Sequence, residues 1–155
     1  MRLHQVRMGA GSPPIVFVHG LGVTSATWAK CMEQLSGQHL TVAIDLLGHG
    51  ASPVPADPDA YSRDAALADI DDVLADLGEP TVLVGHSLGG YLALAHAATR
   101  PGVARAIVAV NTGPGFRDPD KREAWNQRSL RNVHRFDVPE QVVGLNLQHD
   151  SVVMD

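Results

Sequence analysis

The sequence predicts an α/β fold, a parallel doubly wound sheet that carries the start of a helical cap. Three observations lead to it. The runs Ile15–Val18, Thr41–Ile44, Thr81–Val84 and Ala104–Val110 are largely apolar and lack the polar alternation of a half-exposed strand. Helical patterns separate them, which gives the strand–helix alternation of a parallel sheet with right-handed crossovers. Polar, glycine-bearing loops follow the first three runs, at the strand ends where open α/β sheets place their ligands.

Length and composition bound the rest. A chain of 155 residues fits one domain able to bury about two-thirds of its unfolded surface. Hydrophobic residues make up 45%, ordinary for a globular protein, and a net charge of −5 without a basic cluster argues against nucleic acid as a partner. The apolar runs are too short to span a bilayer. Met1–Arg7 has no apolar stretch of a secretory signal, and the single Cys31 has no partner for an internal disulfide. A cytoplasmic protein without a membrane partner is the expectation.

Along the chain, Leu3–Met8 alternates loosely and predicts an edge strand ending at the turn residues 9–14. After Ile15–Val18, Ser25 is placed to cap a helix in which Trp28, Met32 and Leu35 share a face, with Gly37 as its stop. The Thr41–Ile44 strand leads into Asp45–Ser52 and a proline-rich loop. Ser62 then caps a helix with Asp64 in its first turn; Leu67, Ile70, Val73, Leu74 and Leu77 form its apolar stripe and Gly78 closes it. Ala104–Val110 is expected to be an interior strand, buried on both faces. With nothing after it to pair, its apolar edge invites self-association or a further C-terminal segment. From residue 116 the chain is polar. A helix over Asp118–Phe136 around Trp125, Leu130 and Val133, and a second one capped by Asp137 and Glu140 and covering Val142, Val143 and Leu145, are expected to form the cap. The division is therefore 1–115 for the sheet core and 116–155 for an incomplete lid.

The chemistry concentrates in Thr81–Tyr91. A strand breaks at Gly85-His86-Ser87-Leu88-Gly89 and resumes as a helix of small residues, which makes Ser87 the apex of a sharp strand-to-helix turn. A side chain at Gly85 or Gly89 would collide with the neighbouring strand or helix. The helix aims its N-terminal amides and positive dipole end at the serine and so favours an oxyanion there. If the strands at 15–18 and 81–84 are neighbours where strand order reverses, the loop His19-Gly20-Leu21-Gly22 faces Ser87. The amides of Leu21 and Leu88 then form a pair of donors for one substrate oxygen, each contributing roughly 3 kcal/mol to acyl transfer.

With His-Gly after the first core strand, Asp-x-x-Gly-His-Gly-x-Ser after the second and Gly-His-Ser-Leu-Gly-Gly after the third, the chain resembles the α/β-hydrolase superfamily. It is most similar to the cap-bearing group of carboxylesterases, lactonases, carbon–carbon bond hydrolases and cofactor-free haloperoxidases. The resemblance implies that Ser87 is the nucleophile and that Leu21 and Leu88 supply the oxyanion-hole amides. It also implies that His19, Gly20, Gly85, His86 and Gly89 form the supporting turns. Asp45–Ser52 corresponds to a structural loop. Related epoxide hydrolases and haloalkane dehalogenases carry an aspartate where this chain has Ser87, which disfavours them.

The pattern departs from the family in its acid and base. On this fold the order is serine, then Asp or Glu, then histidine. No carboxylate stands at Asn111-Thr112, where some relatives carry the acid. Of the later histidines, His96 reads as a packed or surface residue, and His134 and His149 as solvated ones; adjacent His149 and Asp150 cannot easily face one serine. The chain is therefore expected to be the N-terminal part of a longer serine hydrolase of small-molecule esters, thioesters or related acyl compounds, nearly inactive alone. The alternatives are carbon–carbon hydrolysis, acyl transfer or cofactor-free haloperoxidase chemistry at the same site, or a non-catalytic ligand-binding member. His19, His49 and His86 lack metal-ligand spacing, and Gly48-His49-Gly50 lacks the rest of a phosphate loop, so neither metal nor cofactor is expected.

Overall fold

A computed structural model describes residues 2–131. Its sheet has five strands in the order β1-β3-β2-β4-β5, with β1 Gln5–Met8, β2 Ile15–Val18, β3 Thr41–Ile44, β4 Thr81–His86 and β5 Ala104–Val110. β2 to β5 run parallel, and β1 adds antiparallel to β3 at the outer edge, as its looser pattern suggested. The continuous runs are strands with two covered faces: every residue of β2 and β3 is buried. Val16, Val18, Val42 and Ile44 face one core with Leu67, Ile70 and Val73 of α2 (Arg63–Leu77) and Tyr91 and Leu92 of α3 (Leu88–Thr99). Ile15, Phe17, Ala43 and Val84 face the other, against Trp28 and Met32, the latter on α1 (Ala29–Leu35). The Phe17 and Trp28 ring centroids lie 5.0 Å apart there, within the range of a favourable tilted pair.

Helix boundaries follow their caps. Ser62 Oγ accepts from the Ala65 amide, and Gly78 closes α2 in the left-handed region at φ 69°. The start of the first helical segment differs from expectation. Thr24, not Ser25, caps a short 3-10 turn at Ser25–Trp28, because the Ser25 amide is bound to the Asp45 carboxylate. α1 then ends at Leu35 with Ser36 as its cap; Leu35 is exposed rather than part of the buried stripe, and Gly37 lies beyond the end. α4 runs Pro119–Arg131, with the Asp118 carboxylate accepting from the amides of Asp120 and Lys121. The rest of that expected helix, and the one placed after Asp137, lie outside the described residues.

β5 requires a correction. It is an edge strand of the described sheet, and Arg105, Ala106, Val108 and Ala109 are exposed. Only α3 packs on it in quantity, and it covers one face. The apolar composition of Ala104–Val110 records a strand that can be covered, whereas among the described residues nothing covers its outer face.

α3 crosses β4 at very short range. A Cβ on Gly85 would strike the backbone of Gly89 and Gly90, and one on Gly89 would strike the carbonyl oxygens of Val18 and His19. No rotamer change relieves a clash with backbone. Gly89→Ala is therefore expected to destabilise the fold by about 1–3 kcal/mol or more. Gly37→Ala, at an exposed position with open space around it, should be neutral or stabilising by up to about 1 kcal/mol. Urea unfolding of both variants checks this; equal stabilities would contradict the described packing.

Candidate functional site

The chain passes from β2 to β3 on one side and from β4 to β5 on the other, so strand order reverses between β2 and β4. These two are hydrogen-bonded neighbours, with Val18 opposite Gly85. The loops leaving their C-terminal ends therefore meet. Gly20 lies against Ser87: a Cβ built on it would stand 3.0 Å from His86 Nδ1 and 3.2 Å from Ser87 Cβ. The facing of the first and third loops expected from the sequence is present.

Ser87 sits between β4 and α3 at φ 50°, ψ −116°. A non-glycine residue with such a backbone costs about 1–3 kcal/mol and persists only where its surroundings over-determine it. Here its N–H donates to Val110 O at 3.0 Å, and its carbonyl accepts from the Tyr91 amide at 2.9 Å and from Thr112 Oγ1 at 2.7 Å. The end of β5 and the loop after it thus clamp the turn on both sides. Although Ser87 occupies the N-cap position of α3, its side chain makes no capping hydrogen bond. The hydroxyl remains available beside the first amides of a twelve-residue helix, where a developing negative charge is favoured.

A cavity of about 240 Å³ opens at this turn, lined by Ser87, Asn111, Thr112, Gly113, Gly115, Phe116 and Trp125. Phe116 and Trp125 form its aromatic side, with ring centroids 5.7 Å apart. Sequence reasoning did not find this wall: Trp125 reads only as one of the residues around which a cap helix forms, and Asn111–Thr112 only as a place lacking a carboxylate. The one available signal was Asn111, a residue that tolerates the left-handed region and here has φ 48°. Two larger open hollows lie along α2, one beside Arg2 and Asp72 and one beside Glu79 and Arg100. Among the described residues, neither is lined by a serine, a cysteine or a histidine.

The histidines divide by partner. His19 is fully buried; its Nε2 accepts from the Leu46 amide at 3.0 Å, so Nδ1 carries the hydrogen and donates to Gly20 O at 2.6 Å. His49 repeats the arrangement in reverse, with Nε2 accepting from the Gly22 amide at 3.3 Å and Nδ1 donating to Leu47 O at 3.1 Å. Burial is the main influence that lowers the His19 pKa, opposed by the Gly20 bond and the Asp45 charge. Burial and then the neighbouring His19 push His49 down to about 4. Asp45 anchors the second loop: its carboxylate accepts from the Ser25 and Ala51 amides at 2.7 and 3.0 Å and from His4 Nδ1 at 3.0 Å. Burial opposes its charge, but these bonds outweigh burial and hold the carboxyl below its usual range.

His86 Nδ1 is buried without a hydrogen-bond partner among the described residues, and Leu88 is fully buried behind the turn, while Leu21 packs partly against the core. His96 is packed, as one of the expectations held: fully buried on α3, it bonds through Nε2 to Asp71 at 2.8 Å, and Asp71 also accepts from Arg100 Nε. Nine helical steps, about 13 Å, separate it from Ser87, so this His–Asp pair does not serve the serine. His134, His149 and Asp150 lie outside the described residues. Among the described residues no imidazole or carboxylate is hydrogen-bonded to the Ser87 hydroxyl, and no group of three or more His, Cys, Asp or Glu is placed to hold a metal ion. Nor is any described helix long and apolar enough to cross a membrane.

Residues 15–149 match the family model described as "Alpha/beta hydrolase family". The chain is 41% identical over 134 residues to the sn-1-specific diacylglycerol lipase ABHD11 of Mus musculus, which covers 84% of this chain and 41% of that protein. It is 33% identical over 113 residues to epoxide hydrolase 4 of Mus musculus, covering 72% of this chain and 32% of that one. Among solved structures, the monoacylglycerol lipase of Paleococcus ferrophilus superposes with a TM-score of 0.68 at 32% identity, over 84% of this chain and 52% of that chain. The chain thus spans about a third to a half of the length of these relatives.

The buried neutral imidazoles set a pH dependence. Between about pH 4 and the ordinary histidine value of 6.5, the unfolded chain binds a proton that folded His49 refuses. Stability from this source is complete above the upper value and is lost as pH falls toward the lower one, by on the order of 3 kcal/mol. His19 acts in the same direction. Urea unfolding at about pH 7, 5.5 and 4.5 should show this decline, and His49→Gln should flatten it. A stability independent of pH across the window would contradict the buried neutral state.

Proposed function

The chain belongs to the alpha/beta hydrolase family, and on that premise we propose that it carries the nucleophile and oxyanion hole of a serine hydrolase acting on an ester, thioester or related acyl substrate. The observation that supports this most is Ser87 itself: a strained serine, its hydroxyl unused in capping, at the mouth of a largely apolar cavity and the start of a helix. Residues 1–115 supply the core and 116–155 the lid, with Phe116 and Trp125 bounding the acyl or alcohol group.

In this mechanism Ser87 Oγ attacks the substrate carbonyl carbon, and the carbonyl electron pair moves to the oxygen. That oxyanion is held by the Leu21 and Leu88 amides, with His19, Gly20, Gly85, His86 and Gly89 supporting the two turns. Collapse expels the alcohol or thiol, and water then releases the acid from the acyl-enzyme. No step calls for a cofactor. The hydroxyl proton needs a base, and we assign it, with its orienting acid, to residues outside 2–131, in keeping with the order serine, acid, histidine on this fold. The open edge of β5 is where a C-terminal segment or a second copy would pair. Opening an epoxide through a carboxylate ester intermediate would require an aspartate where this chain has Ser87, which weighs against that chemistry despite the similarity to epoxide hydrolase 4.

Ser87→Ala in the full-length protein should lower hydrolysis of short p-nitrophenyl esters by about 10⁴-fold or more and leave the fold intact. Ser87→Gly should be equally inactive but more stable, by about 1–3 kcal/mol, because glycine accepts the positive φ without strain. Undiminished turnover in either variant would refute the nucleophile.

A further inference from the structure

The loops that follow the neighbouring strands β2 and β3 are held together by a reciprocal pair of histidines. Each ring accepts an amide hydrogen from the opposite loop and donates to a carbonyl of its own: His19 takes Leu46 N–H and gives to Gly20 O, while His49 takes Gly22 N–H and gives to Leu47 O. The ring centroids are 4.8 Å apart. Every bond uses the same tautomer, hydrogen on Nδ1 and a lone pair on Nε2. That tautomer is the less favoured one for a free imidazole in water, so the protein must impose it. Gly20 and Gly22, the residues gripped, flank Leu21.

Leu21 itself packs on the core through its side chain, but a side-chain contact does not orient its own N–H. The orientation depends on the peptide planes around it, and these are the groups the histidines hold. Gly20 O is fixed by His19, and Gly22 N by His49, which reaches back 27 residues from a loop that has no other link to Ser87 in the proposed chemistry. Asp45 fixes the base of the His49 loop through the Ser25 and Ala51 amides, so His49 is presented from a rigid support. From this geometry we infer that His49 is a positioning residue of the hydrolase site: as a neutral Nδ1–H imidazole it locks the Gly20–Gly22 turn and thereby aims the Leu21 amide at the substrate oxygen. This rests on the assignment of Ser87 and Leu21 made above.

The positioning role separates transition-state stabilisation from substrate binding, since the amide matters most once the oxygen carries charge. His49→Leu, in the full-length protein, removes the acceptor for Gly22 N–H. It should reduce kcat for p-nitrophenyl butyrate by about 10- to 100-fold and change KM by less than about threefold. The rate of Ser87 phosphonylation by a fluorophosphonate should fall by a similar factor. His49→Gln, whose side-chain oxygen can still accept from Gly22 N–H, should recover most of the loss. Loss of thermal stability with unchanged kcat in the folded His49→Leu variant, or failure of Gln to rescue, would overturn the inference.

A measurement on the wild-type protein keeps the test independent of variant folding and of Ser87 chemistry. In ¹⁵N-histidine-labelled protein near neutral pH, His49 should show hydrogen on Nδ1 and an unprotonated Nε2, and the Gly22 amide should be protected from exchange. An Nε2–H tautomer, or a freely exchanging Gly22 amide, would overturn the clasp even if Ser87 is the nucleophile. Conversely, the expected tautomer with an inactive site at Ser87 would leave the contact in place and remove its role in turnover.

Discussion

The approach of α3 to the sheet is the constraint on which the rest depends. At its first turn the helix lies so close to β4 and β2 that Gly85, Gly89 and Gly90 have no room for a Cβ; at Gly90 the obstruction is Thr112. The chain can reverse from strand to helix within one residue only because of that proximity. Ser87, the residue at the reversal, is forced to positive φ. Its hydroxyl projects from the apex instead of folding back as an ordinary N-cap would, and the first helical amides follow immediately. Strain and exposure of the hydroxyl have a single cause, the packing of small residues beneath it.

The second requirement is that neighbouring loops be rigid without carrying competing charge. Asp45 is ionised and saturated by hydrogen bonds, which makes it a support and not an acid. His19 and His49 are kept neutral by burial. The same burial that withholds protons from these rings allows each Nε2 to act as an acceptor for backbone N–H. Clamping from the other side is provided by Thr112 and Val110, after and at the end of β5. Ser87 therefore sits between the loop after β2, which packs on the turn at Gly20, and the end of β5 with its following loop, which hydrogen-bond to it; the Asp45–Ser52 loop is tied to the first of these.

Much of this was legible in the sequence where the signal is local. β2 and β3 announced themselves as unbroken apolar runs, α2 by its stripe and its Ser62 and Gly78 caps, and the Ser87 turn by glycine spacing. What depends on distant partners was not legible. Ser25 looked like a cap because nothing nearby shows that Asp45 will take its amide. Ala104–Val110 looked like an interior strand because apolar composition is the same whether or not a neighbour is present to cover it. The His49 ring is unremarkable in its own loop; its contact with Gly22 appears only when the loop after β2 is brought beside it by the pairing of β2 with β3. Trp125 likewise becomes part of the site only through the return of the chain over Ser87.

The most direct test of the central claim is the structure of the full-length protein after reaction with a fluorophosphonate. The phosphorus should be bonded to Ser87 Oγ, with one phosphoryl oxygen about 2.7–3.1 Å from both the Leu21 and the Leu88 amide nitrogens. A phosphonyl group on any other residue, or on Ser87 with its oxygen turned away from these two amides, would contradict it.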